Sequence, residues 1–204
     1  MTDNGVTLID AWELPEERVD QTVARWRERV ALVRTAPGFR DARLHHRMDP
    51  QSRLGLVNVA HWDSVEARDE ALADPGFVAS AATASSYATV RGGWYHVVAD
   101  VRAANGDQAQ GQPVTVVTAF ELPAERIDDF LPHWLAHAEV LSKVPGFRDD
   151  LLHRAVEPDT HFQLVGIAHW DDLEAWRATD DELPFADFAF VSAHIAPFRV
   201  AAEF

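Results

Sequence analysis

The chain has no cysteine. That excludes disulfides, thiolate metal sites and a cysteine nucleophile, and leans weakly toward a reducing compartment. Basic residues are few: 18 Lys and Arg stand against 33 Asp and Glu, for a net charge of −15. So acidic a chain is repelled by phosphate backbones and anionic bilayers, and neither nucleic acid nor a membrane surface is an expected partner. No apolar run approaches the length of a bilayer span. The opening residues Met1-Thr2-Asp3-Asn4-Gly5 lack the basic and apolar regions of a secretory signal, so the expected location is cytoplasmic. Neither a dinucleotide-binding glycine fingerprint nor a P-loop is present. His133 and His137 are four apart on an expected helix, but Trp134, Leu135 and Ala136 fill the gap, so no HExxH zinc motif forms.

What is present is written twice. From Glu13 to Ala67 and from Glu121 to Ala175 the chain matches itself without a gap, at an offset of 108 positions. Glu13-Leu14-Pro15 returns as Glu121-Leu122-Pro123, Pro37-Gly38-Phe39-Arg40-Asp41 as Pro145-Gly146-Phe147-Arg148-Asp149, and Ala60-His61-Trp62-Asp63 as Ala168-His169-Trp170-Asp171. A long period met only twice is a duplicated small domain rather than a solenoid. At 204 residues and 47% hydrophobic content the chain buries a substantial core. The expected domains are 1–101 and 113–204, with the polar, small-residue stretch 102–112 as linker.

Within a copy, Val6 to Trp12 is rich in β-formers. Leu14-Pro15-Glu16-Glu17 then marks a helix start, with proline at a first position and acids facing the helix dipole. Val19, Val23, Trp26, Val30 and Val33 recur at helical spacing, as do Ile127, Leu131, Trp134, Ala138 and Leu141. Pro37-Gly38 and Pro145-Gly146 end these helices. Phe39–Met48 and Leu54–Trp62 read as an antiparallel pair around the Asp49–Ser52 turn. A short helix over 64–73, a helical turn over 77–83 and a last strand from Tyr87 to Val101, interrupted at Gly92-Gly93, complete the order. The fold class is α+β: two tandem ferredoxin-like β-α-β-β-α-β domains whose sheets pack as an intrachain dimeric α/β barrel.

Through Pro37-Gly38-Phe39 and the strand Leu56-Val57-Asn58-Val59-Ala60-His61-Trp62, the chain resembles the antibiotic biosynthesis monooxygenase family, over essentially all of both copies. The resemblance implies the dimeric α/β-barrel fold. It also implies a cofactor-independent monooxygenase that oxidises a polycyclic aromatic substrate, a polyketide-type anthrone or hydroquinone, to a quinone with O2 as co-substrate. Two other readings stay open on the same fold: a non-oxidative polyketide cyclase, and a non-catalytic protein that binds an aromatic ligand. Haem-degrading relatives carry an axial histidine about ten residues beyond the tryptophan. Leu72-Ala73 and Asp180-Asp181 stand there in this chain, so haem in that mode is not expected. Self-association of two chains is left open.

Quinone-forming members place an Asn and a Trp four apart on the third strand, and Asn58 and Trp62 match that spacing. The resemblance thus implies Asn58, Trp62 and the first-strand Asp10 as catalytic residues. Period-two alternation sets Leu54, Leu56, Asn58, Ala60 and Trp62 on one face, and an amide lodged there needs a partner. Asn58 and the Trp62 indole N–H are neutral donors suited to an enolate oxygen. Asp10 or His46 is the base, unless the substrate's own acidity suffices. Trp12, Trp26 and Trp94, from separate elements, together with His46, are the candidate substrate-binding residues. The second copy has Gly166 for Asn58 and Thr118 for Asp10, so the first copy is the expected working site. His61 and His169 take the opposite strand face, where each needs a partner. His45 and His153 recur in both copies, which fits a structural role.

Overall fold

The two repeated words of the sequence meet in space. Phe39 of the PGFRD word packs edge-on against Trp62 of the AHWD word with ring centroids 5.2 Å apart, and Phe147 meets Trp170 at the same 5.2 Å. The computed structural model describes residues 5–84, 88–104, 113–179 and 188–204. Among them the order is β1 (Val6–Glu13), α1 (Val19–Val33), β2 (Phe39–Arg47), β3 (Leu56–Trp62), α2 (Val65–Leu72), α3 (Pro75–Ala84), β4 (Thr89–Arg102), β5 (Val114–Glu121), α4 (Ile127–Leu141), β6 (Phe147–Ala155), β7 (Leu164–Trp170), α5 (Leu173–Arg177) and β8 (Ser192–Glu203). Tyr87, Asp180, Asp181 and most of the expected linker lie outside the described residues. No helix among the described residues is long and apolar enough to cross a membrane.

The chain divides into two compact units, residues 1–96 with 200–204, and residues 97–199. In the first, β3 pairs antiparallel with both β1 and β2, and β4 lies on the other side of β1. In the second, β7 pairs with β5 and β6, and β8 lies beside β5. β4 and β8 are the long strands. β1 takes up only Thr89–Tyr95 of β4, and β5 only Ser192–Phe198 of β8. The backbone groups beyond need partners of their own. Phe204 exchanges two hydrogen bonds with Ala42 of β2, and Ala103, just past β4, donates to Arg148 O of β6. The strand order therefore closes on itself as β1-β3-β2-β8-β5-β7-β6-β4, the antiparallel order of a dimeric α/β barrel written in one chain.

The helices differ from the expected bounds at their C-termini. α1 ends at Val33 and α4 at Leu141, several residues before the Pro-Gly pairs. Pro-Gly instead forms the turn into the next strand, and Gly38 and Gly146 hold φ of 82° and 84°. Only glycine takes that conformation cheaply. In both turns a Cβ would also press into an alanine methyl, Ala67 at 2.6 Å and Ala175 at 2.5 Å. The turn is tied down in each unit: Asp63 N donates to Gly38 O and Asp171 N to Gly146 O, both at 2.8 Å. Gly38→Ala combines the positive-φ cost with this overlap, and should cost about 2–4 kcal/mol. Urea unfolding of the variant checks it, and Gly146→Ala should lose a similar amount.

Candidate functional site

In the first unit the helices cover the sheet face that carries Asn58, and a cavity remains between them. β1 contributes Leu8, Asp10 and Trp12 to its wall, α1 contributes Trp26, Arg29, Val30 and Val33, and β3 contributes Asn58, Ala60 and Trp62. Phe39 and Ala42 of β2 close one flank, and Leu72 and Phe77 of α2 and α3 another. The atom-free space, its open mouth included, is about 450 Å³. Every wall residue belongs to the first unit.

Asp10 is the register partner of Asn58 on one side and of Gly92 on the other. A side chain at Gly92 would run into Asp10 Oδ1. That explains the glycine there: β4 continues unbroken through Gly92-Gly93, contrary to the expected interruption, and Gly92 makes room for the carboxyl. Trp26 Nε1 donates to Asn58 Oδ1 at 3.1 Å, and Asn58 Nδ2 donates to Asp10 Oδ2 at 3.3 Å. An indole only donates and a carboxylate only accepts, so this chain fixes which end of the amide faces which neighbour. Asn58 is thus engaged at both ends, and Trp26 and Asp10 are the partners that an amide lodged on this face needs.

Burial pushes the Asp10 carboxyl above its ordinary range, and the Arg68 guanidinium, the Asn58 hydrogen bond and Arg29 pull against that. Burial also raises the Tyr95 phenol, and the negative charge of Asp10 adds to the effect. In the wall, Trp12 Nε1 and Trp62 Nε1 are buried and have no hydrogen-bond partner among the described residues.

Of the residues singled out in the sequence, Asp10, Trp12, Trp26, Asn58 and Trp62 come together in this wall. His46 and Trp94 are not among its residues. His46 lies 3.5 Å from Glu16, and Trp94 lies beneath the Arg68 guanidinium, 4.6 Å from the ring centroid. Arg29 and Phe77 were not foreseen. Arg29 follows Trp26 by three positions and precedes Val33 by four, so it shares the buried stripe of α1. It is 5% exposed, and its guanidinium sits 5.5 Å from the Trp12 ring centroid. A charged residue on an apolar stripe was the available signal. The remaining histidines take structural partners: Asp41 binds His61 at 2.8 Å and Asp149 binds His169 at 2.6 Å, while His45 and His153 reach backbone carbonyls.

The second unit carries different groups at the corresponding positions. Thr118 stands for Asp10, His137 for Arg29, Gly166 for Asn58 and Asp150 for Ala42. Asp150 is 8% exposed, and burial together with the neighbouring Asp149 pushes its carboxyl up to about 7. Burial also lowers the His137 imidazole.

The family described as "Antibiotic biosynthesis monooxygenase" matches residues 5–83 and 113–189. Among solved structures, an anthrone oxidase-like protein superposes with a TM-score of 0.81 at 18% identity, covering 100% of this chain and 95% of that one. A monooxygenase candidate from Lactobacillus acidophilus NCFM gives 0.61 at 12% identity, covering 100% and 96%. A mutant chlorite dismutase from Candidatus Nitrospira defluvii gives 0.59 at 11% identity, covering 98% and 93%. No curated protein matches the sequence. At such identities the likeness is one of fold, and the fold carries neighbours with different named activities.

Two measurements test this geometry. Trp26→Phe leaves Asn58 Oδ1 buried without its donor and should cost about 1–3 kcal/mol in a urea melt. Asp150, whose folded carboxyl is raised above its ordinary 3.8 to about 7, binds more protons folded than unfolded. Its contribution to stability is fully present below about pH 4 and is lost as pH rises through about 7, a change on the order of a few kcal/mol. Melts of Asp150→Asn between pH 4.5 and 8 should therefore fall less steeply with pH than those of the parent.

Proposed function

The chain belongs to the antibiotic biosynthesis monooxygenase family through both of its halves, and from that premise we propose that the cavity of the first unit oxidises a polycyclic aromatic substrate, an anthrone or hydroquinone of polyketide type, to a quinone with O2. One observation carries the reading. Trp12 and Trp62 present two buried indole N–H groups, without partners among the described residues, in the same wall as the half-buried Asp10 carboxyl. A buried donor left unpaired is costly, and an oxygen of the bound aromatic would answer it. The substrate, not a cofactor, supplies the electrons in this scheme.

Asp10 takes the proton from the acidic ring carbon. A carboxylate raised by burial is a stronger base than one in water, which suits it to a carbon acid. The anthrone becomes an enolate whose oxygen accepts from the indoles, neutral donors set in place before reaction. The enolate passes one electron to O2, and superoxide recombines with the substrate radical at the deprotonated carbon. The resulting hydroperoxide, once protonated, loses water to leave the quinone. Anthrone plus O2 gives quinone plus water, and the balance closes without an external reductant. Asn58 acts by holding Asp10, and Trp26 by holding Asn58. Neither needs to touch the substrate for its loss to be felt.

O2 uptake and quinone absorbance with dithranol, 1,8-dihydroxyanthrone, test the proposal. One O2 should be consumed per quinone formed, above the spontaneous rate. Asp10→Asn should lower the rate by about 10²–10⁴-fold, the usual worth of a general base. Trp62→Phe should lower it by about tenfold or more, as expected for one lost donor. Acidification should reduce the rate as Asp10 becomes protonated, and that dependence should vanish in Asp10→Asn. Saturable binding without O2 uptake would sink the oxidase reading in favour of a binding protein, and ring closure without O2 uptake would make it a cyclase.

A further inference from the structure

The geometry points to a second ligand site, in the second unit above Gly166, where the Asp150 carboxyl holds the carbonyl oxygen of an uncharged apolar compound. The site is not a weakened copy of the first. The carboxyl that β1 carries as Asp10 is absent from β5, where Thr118 stands, and a carboxyl appears on β6 instead, as Asp150 in place of Ala42. Acid has moved from one flank of the central strand to the other. The amide between them has been deleted: β7 has Gly166 where β3 has Asn58.

The deletion leaves Asp150 unanswered. Its Oδ1 is buried and has no hydrogen-bond partner among the described residues, and the residue is 8% exposed. The oxygen is aimed at the bare glycine. A Cβ built on Gly166 would lie 3.5 Å from Asp150 Oδ1, 3.8 Å from Thr118 Cβ and 3.9 Å from Thr118 O. These are ordinary contacts, so a methyl-sized group fits there without displacing anything. In the first unit the corresponding volume holds the Asn58 amide, which satisfies Asp10.

The chemistry of the ligand follows from the surroundings. The nearest acid, Asp149, is held by His169 at 2.6 Å and has Arg102 at 3.8 Å. Its charge adds to burial in raising the Asp150 carboxyl to about 7, so the protonated form prevails below that pH. A protonated carboxyl is an O–H donor, and the neighbouring strands carry Ala168, Val116, Phe147 and Trp170 in one buried apolar cluster. An anion would meet Asp149 without a compensating charge at Asp150. A neutral carbonyl accepts the O–H and buries its ring or chain against the apolar cluster.

1-Tetralone is a suitable probe, with tetralin as the same skeleton lacking the oxygen. Calorimetric titration of the full chain should give two tetralone molecules per chain. Asp150→Ala should lose one of them, weakened tenfold or more, while Asp150→Asn, whose amide N–H still donates, should keep it within a few-fold. Gly166→Asn, which refills the volume, should also lose it with unchanged circular dichroism. The infrared carbonyl band of bound tetralone should show a hydrogen-bonded component that disappears in Asp150→Ala. Tetralin affinity should be the same for parent and Asp150→Ala. Tetralone binding whose stoichiometry and carbonyl band are the same in the parent, Asp150→Ala and Gly166→Asn would overturn the proposal, whereas a single tetralone in the parent that Asp150→Ala loses would place it at this site and leave the first cavity without one. Dithranol turnover at the first unit should be unchanged in the Asp150 variants, so failure of the oxidase reading and failure of this one are read on separate instruments.

Discussion

The clasp between the two repeated words sets the position of everything else. In each unit the chain leaves the helix through a glycine of positive φ, and the first strand residues lock onto the end of the neighbouring strand. Arg40 meets Asp63 and Arg148 meets Asp171, each at 2.7 Å. Asp41 binds His61 and Asp149 binds His169, while the Phe–Trp ring pair fills the space between. The register of β2 against β3 shifts once, between Phe39 and Asp41, and of β6 against β7 at the same place, between Phe147 and Asp149. A slip of one residue would turn every side chain of the strand to its other face. Fixing the strand end with a salt bridge, a histidine–carboxylate bond and a ring pair therefore fixes which face Trp62, Ala60 and Asn58 present to the cavity.

On that scaffold the half-buried Asp10 carboxyl imposes local demands in turn. Asp10 can occupy its place only because Gly92 has no side chain and because Asn58 donates to it. Asn58 can donate only because Trp26 holds its other end. Three elements are thus committed to one acid. Where the second unit gives up that acid, Thr118, Gly166 and an Asp on the opposite flank replace the set and Phe120 stands for Trp12, although the clasp is retained and Trp134 and Trp170 stand for Trp26 and Trp62. Scaffold and site vary independently here, and each can be altered without the other.

Much of the scaffold was legible in the sequence. The repeat, the strand and helix order, and the helical stripe through Trp26 follow from periodicity and from turn residues whose physics is local. Three things were not legible. The sharing of the long strands β4 and β8 depends on backbone groups left over after β1 and β5 are paired, which no local pattern reports. Gly92 read as a break because its cause, the Asp10 carboxyl, lies on another strand. Arg29 was passed over because an apolar stripe invites one to read the apolar residues alone. The site was legible as a set of residue types: Asp10, Trp12, Trp26, Asn58 and Trp62 do converge. Their division of labour was not, since only the hydrogen-bond chain shows that Asn58 is spent on Asp10 and that Trp12 and Trp62 carry donors without a partner among the described residues.

The charges around Asp10 gain significance from what proton transfer does to them. Arg29 and Arg68 act on an ionised Asp10 and are partly balanced by it. In the proposed reaction Asp10 takes a proton from a carbon acid, so its negative charge vanishes and a new one appears on the ligand, while both guanidiniums stay in place. Their field would then act on the enolate together with the indole donors. The net charge of the site is the same before and after. The step relocates a charge between two positions that the same cations already serve, so little of the surrounding protein has to reorganise as the substrate is activated for O2. A pocket built from aromatic walls, one half-buried base and fixed cations can in this way favour an electron-rich intermediate using only side chains.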